Sequence, residues 1–137
     1  MHRIFMGLGM AAGLVASPVA RAAAQETHVV RLMADPAKDV FRFEPATLTV
    51  KPNDVVVFRV ASGAPHSIVF EGGELSPGVR GAFNSALVGR SGDLSSPLLT
   101  ASGKDYRMVV PQVPPGRYRF YCLPHRAYDM RGELVIQ

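Results

Sequence analysis

Arg117-Tyr118-Arg119-Phe120-Tyr121-Cys122-Leu123-Pro124-His125-Arg126-Ala127-Tyr128-Asp129-Met130 begins as a strand and ends as a loop crowded with metal-binding side-chain types. Side chains alternate across a strand, so Tyr118, Phe120 and Cys122 share one face and Arg117, Arg119 and Tyr121 the other. The two arginines belong in water, which turns Cys122 inward beside two aromatics. Pro124 stiffens the turn that follows through its fixed φ. His125 and Met130 then lie within one loop's reach of the cysteine, the only one in the chain.

A second histidine stands far upstream, in His66-Ser67-Ile68-Val69-Phe70. There His66 shares a face with Ile68 and Phe70, so it too projects toward a core, from a strand end. Further strands are expected at His28–Met33, Val40–Glu44, Thr47–Val50, Val55–Val60, Ser67–Phe70, Tyr106–Val110, Arg117–Cys122 and Glu133–Ile136. Turn formers separate them, among them Lys51-Pro-Asn-Asp54, Ser62-Gly-Ala-Pro65, Ser102-Gly-Lys-Asp105 and Pro114-Pro-Gly116. Short strands so punctuated, without a long amphipathic helix, predict an all-β chain folded as an antiparallel sandwich. Gly72–Ser102 breaks the pattern. It is rich in Gly, Ser and Pro, and Ala82–Val88 within it is expected to make one or two helical turns in a long loop between the two histidine regions.

The N-terminus carries a different message. Met1-His2-Arg3 is a short basic start, Ile4–Ala20 is apolar without a charge, and Ala22-Ala23-Ala24 offers small residues for cleavage. That is the layout of a secretory signal peptide over 1–24, leaving a single domain over 25–137. Export to the periplasm or to the outside follows, with no membrane insertion once the leader is removed. Thirteen basic residues face eleven acidic ones in 25–137, because Arg3 and Arg21 fall in the leader. No dense Lys/Arg run occurs, so nucleic-acid binding is not indicated. His28, near the start of the mature chain, reads as a solvated side chain. A lone cysteine in an exported protein has no internal disulfide partner, and a bound metal would account for it.

His66, Cys122, His125 and Met130 provide two imidazoles, a thiolate and a thioether. Taken singly, each of these residues is an ordinary core or hydrogen-bonded side chain. As a set they match one type 1 copper ion: imidazole nitrogen suits the cupric state, soft sulfur the cuprous state, and the long thioether contact tolerates both. Structural zinc favours more thiolates and rarely takes thioether. A Cys–His nucleophile pair lacks an evident third orienting group. The expected chemistry is single-electron transfer rather than enzymatic turnover. A copper carrier or storage protein is the alternative.

At these residues the chain resembles the plastocyanin/azurin family of small blue copper proteins. Pro65–Glu71 looks like that family's first copper-histidine strand, and Gly116–His125 followed by Met130 looks like its Cys-x2-His-x4-Met loop. Phe43–Val60 resembles its early strands. The resemblance implies a Greek-key, cupredoxin-like β-sandwich with copper near one end, bound by His66, Cys122, His125 and Met130. It further implies an electron carrier with His125 nearest the surface, so that docking on redox protein partners is expected there. A monomer is the default expectation, and the charges of Arg126 and Arg131 suggest a partner with some negative charge, such as a cytochrome or a copper oxidase. Ala64, Pro65, Leu123, Pro124, Ala127 and Tyr128 would form the apolar docking patch, with Arg126 and Arg131 at its rim. Two departures stand out: Ser67 where the family commonly has Asn, and Asp129 where it usually has Gly before the axial methionine.

Overall fold

The computed structural model describes residues 13–19 and 24–137. Most of the expected leader, 1–12 and 20–23, lies outside the described residues. Residues 13–19 and Ala24 are exposed and without regular structure. Among the described residues, no helix is long and apolar enough to cross a membrane.

The described residues form eight strands: β1 (Thr27–Asp35), β2 (Val40–Glu44), β3 (Thr47–Val50), β4 (Val55–Val60), β5 (Val69–Phe70), β6 (Asp105–Val109), β7 (Gly116–Tyr121) and β8 (Arg131–Ile136), with helix α1 (Pro77–Ala86) between β5 and β6. They form two four-stranded sheets, ordered β2-β1-β4-β6 and β3-β8-β7-β5. The sandwich is the expected one. Its pairing is mixed, however: β1·β4 and β3·β8 run parallel, the other pairs antiparallel. These parallel pairs join strands distant in sequence, so no tight hairpin has to connect them.

Alternation builds the core. Val30, Leu32 and Ala34 on β1 are buried, and so are Tyr106 and Met108 on β6 and Leu134 and Ile136 on β8. Phe120 sits at the centre, edge-on to Phe43 at 4.8 Å and to Phe58 at 5.8 Å between ring centroids. Such edge-to-face contacts set the positive rim of one ring against the negative face of another. Gly132 is required here, since a Cβ at that position would collide with the Phe120 ring.

The Gly72–Ser102 region holds more order than its composition suggests. α1 is ten residues long and begins at Pro77, earlier than expected, with the Ser76 hydroxyl accepting the Val79 amide at 3.3 Å. Ser76-Pro77 is the start signal that composition alone obscured: a capping hydroxyl, then a proline at the first helical position. Phe83 from this helix is fully buried against Phe70. Beyond it, 94–99 runs beside 66–70, with amide–carbonyl bonds linking Leu99 and His66 in both directions, Ser96 to Ile68, and Phe70 to Leu94. All five residues from His66 to Phe70 are therefore buried, and β5 is shorter than the four residues expected.

Candidate metal centre

Three polar donors meet at one end of the sandwich. Cys122 directly follows β7, and its Sγ lies 3.6 Å from His66 Nδ1 and 3.5 Å from His125 Nδ1. The donor atoms of all three residues fall within 4.8 Å of one another. A trigonal centre with imidazole nitrogen at about 2.0 Å and thiolate sulfur at about 2.3 Å would hold sulfur and nitrogen roughly 3.7 Å apart. The geometry fits a metal ion bound to all three.

The hydrogen bonding fits as well. His66 Nε2 stands 2.6 Å from the Ser62 carbonyl, which can only accept, so the proton resides on Nε2. Nδ1 then turns its lone pair toward Cys122, the arrangement a metal-binding histidine needs. Gly63 makes that carbonyl available: its φ is +65°, and a Cβ there would run into the Ala34 backbone.

The loop is closed by its own backbone. The Cys122 amide donates to the Met130 carbonyl at 3.0 Å, and the Met130 amide to the His125 carbonyl at 3.5 Å. Arg126–Tyr128 makes a single 3-10 turn, and Asp129 completes it in the left-handed region at φ 56°. Met130 is thereby held by its backbone to both Cys122 and His125, and its side chain is fully buried. Ser67 reaches the loop despite its short side chain, its Oγ accepting the Leu123 amide at 3.2 Å.

Burial governs the protons. Desolvation pushes the Cys122 thiol up, against the pull of the Ser67 and His125 amides. Desolvation also pushes His66 down, opposed by the Ser62 carbonyl, and lowers His125 with a further contribution from His66. The donors are thus held neutral, and a metal must displace the thiol proton as it binds.

His66 is completely buried and His125 half-buried, so of the two imidazoles His125 lies nearer the surface. Around it, Leu123 and Tyr128 are each 58% exposed, and Pro65, Pro124 and Ala127 are exposed too. Phe41 was missed by sequence reasoning. Its ring stacks on Tyr128 at 4.1 Å and packs against His125 at 5.4 Å. Alternation held the clue, since Phe41 shares a strand face with the core residue Phe43.

The expected rim charges are already engaged. Arg131 bonds Asp129 at 2.6 Å and Glu71 at 2.9 Å, and Arg126 lies over the Tyr121 ring at 4.4 Å. His28 departs from expectation. It is half-buried and hydrogen-bonded to Asp54 at 3.0 Å, a partner 26 residues away.

Comparison with known proteins agrees with this geometry. The family model for copper binding proteins of the plastocyanin/azurin family matches residues 29–137. A plastocyanin from Synechococcus sp. (strain JA-2-3B'a(2-13)) is 32% identical over 124 residues, covering 90% of this chain and 83% of that protein. One from Nostoc punctiforme is 33% identical over 115 residues, covering 84% and 77%. The oxidised plastocyanin of Dryopteris crassirhizoma superposes with a TM-score of 0.62 at 28% identity, covering 80% of this chain and all of that one. The chain belongs to the plastocyanin/azurin family of copper binding proteins. Copper is accordingly its cofactor, and electron transfer to redox partners, not enzymatic turnover, is its class of activity.

Proposed function

We propose that this chain is an exported electron shuttle, its leader 1–24 removed and its copper held by His66, Cys122, His125 and Met130 in the domain 25–137. The convergence of two imidazole Nδ1 atoms on the Cys122 thiol carries this reading. Copper supplies the one-electron change between cuprous and cupric states. The protein's part is to hold four donors acceptable to both states and keep them still. Three features do so: the Ser62 carbonyl orients His66, the Ser67 hydroxyl ties the two ligand regions together, and the closed loop fixes Met130. Little has to rearrange when the charge changes, which favours rapid transfer.

Electrons enter and leave past His125 in this reading. A small apolar surface of Leu123, Pro124, Ala127 and Tyr128 suits weak, short-lived docking on a cytochrome or a copper oxidase. Arg126 adds positive charge at the rim, and suits a partner bearing negative charge. A carrier that hands over its metal would need exchangeable ligands, and the complete burial of His66 and Cys122 opposes that role.

Adding cupric ion to the 25–137 domain tests the proposal. An intense blue thiolate-to-copper band is expected, lost in Cys122→Ser and altered in Met130→Gln. A colourless protein, or a band that survives Cys122→Ser, would overturn it.

A further inference from the structure

At the far end of the sandwich, Glu26, His28 and Asp54 form a second convergence of donor atoms, all within 4.8 Å of one another. β4 separates the two ends: Asp54 directly precedes it, and Ser62, which orients His66, lies just beyond it. Six strand residues span roughly 17–20 Å. The second cluster is therefore independent of the copper ligands.

Its centre is a buried carboxylate. Asp54 is 4% exposed. The Glu26 amide binds its Oδ1 at 3.1 Å and the Lys51 amide its Oδ2 at 3.0 Å. A carboxylate offers about four lone-pair positions, so some remain. His28 Nε2 stands 3.0 Å from Asp54 Oδ2 and 3.8 Å from Glu26 Oε2. One imidazole nitrogen therefore faces two carboxylates. It carries at most one proton, which serves Asp54 and leaves the exposed Glu26 carboxylate to solvent. A divalent cation among the three answers both charges. With metal–donor bonds of about 2.0–2.2 Å, neighbouring donors lie roughly 3.0–3.5 Å apart. His28 and Asp54 already meet that spacing, and the exposed Glu26 carboxylate stands 3.8 Å from His28 Nε2, a few tenths of an ångström beyond it.

We propose that Glu26, His28 and Asp54 constitute a second metal site, one that takes a divalent cation of the zinc class. One imidazole and two carboxylates make a borderline-hard donor set that suits zinc and leaves positions open for water. It has no thiolate or thioether, the soft sulfur that favours cuprous ion.

Titrating Zn(II) calorimetrically into the copper-loaded protein tests this, because the Cys122 site is then filled. One further equivalent should bind in wild type, with the His28 ring resonances shifting and the blue band unchanged. His28→Gln and Glu26→Gln should each weaken binding by about tenfold or more, equivalent to about 1.4 kcal/mol. Glu26 is exposed and precedes β1, so its substitution leaves the fold intact. Absence of a further equivalent, or wild-type affinity in both variants, would overturn the proposal. Should the chain take up no copper, zinc is titrated into the metal-free protein instead. Cys122 is then available in wild type and variants alike, and only the difference made by His28→Gln reports the second site.

Discussion

Ser67 Oγ accepts the Leu123 amide at 3.2 Å, a bond across 56 positions that joins the His66 segment to the loop bearing Cys122 and His125. Both partners flank ligand candidates, so this bond adds to the β5–β7 pairing in setting how the two halves of the site face each other. Ser67→Ala should lower stability by about 1 kcal/mol, the usual worth of such a bond. Copper dissociation should accelerate with the blue band retained, and stopped-flow chelator competition reads it.

Gly63 holds the Ser62 carbonyl where His66 Nε2 can donate to it. Gly63→Ala brings a Cβ into the Ala34 backbone at a positive φ, and the turn has to move. A stability loss of about 1–3 kcal/mol is expected in denaturant. The cupric EPR spectrum should change as well, since the His66 ring loses its anchor. A purely structural role would leave that spectrum as it was.

Arg131 neutralises Asp129, the residue immediately before Met130. Freed of its partner, a carboxylate there favours the more positive cupric state. Arg131→Gln should lower the reduction potential by about 10–40 mV, because exposed pairs are worth about 0.2–1 kcal/mol. Added salt should shrink the difference. A potential equal to wild type at low ionic strength would disprove the coupling.

Leu123 is more than half exposed beside His125. A charge there sets like against like when two molecules meet through this surface, at a cost of some kcal/mol. Leu123→Glu should slow electron self-exchange, measured by NMR line broadening, by about tenfold or more. The potential should hardly change. Unaltered self-exchange would place the transfer surface elsewhere.

Asp54 bears on acid stability. Burial pushes its carboxyl up, but the Lys51 and Glu26 amides and His28 outweigh that, and its pKa lies below the ordinary value. A group depressed in the folded state contributes fully above its unfolded pKa, about 3.9, and the contribution disappears as pH falls through the folded value. Asp54→Asn should therefore cost about 1–3 kcal/mol at pH 7. Its stability should fall less steeply than wild type below about pH 4, which denaturation across pH 2–7 would register.

Local features were legible in the chain and distant pairings were not. The β7 alternation and the Cys122–Met130 spacing are written within fourteen residues, and strand and loop follow from them. The lining of 66–70 by 94–99 leaves no such trace, because neither segment alternates cleanly and each is buried by the other. His28 looks solvated until Asp54 is brought beside it by the parallel pairing of β1 with β4. Side-chain length is a poor guide at Ser67, where what counts is how near the backbone brings it to Leu123. Only the second half of helix α1 is legible, since its beginning rests on the Ser76 cap rather than on apolar periodicity.

The single backbone bond from Cys122 to Met130 makes the intervening loop a self-contained cassette between two anchored ends. A change of length inside it would be absorbed by the loop before it reached the pairing of β7 with β8. A lineage can thus retune potential and partner preference by editing a few codons, without renegotiating the rest of the fold.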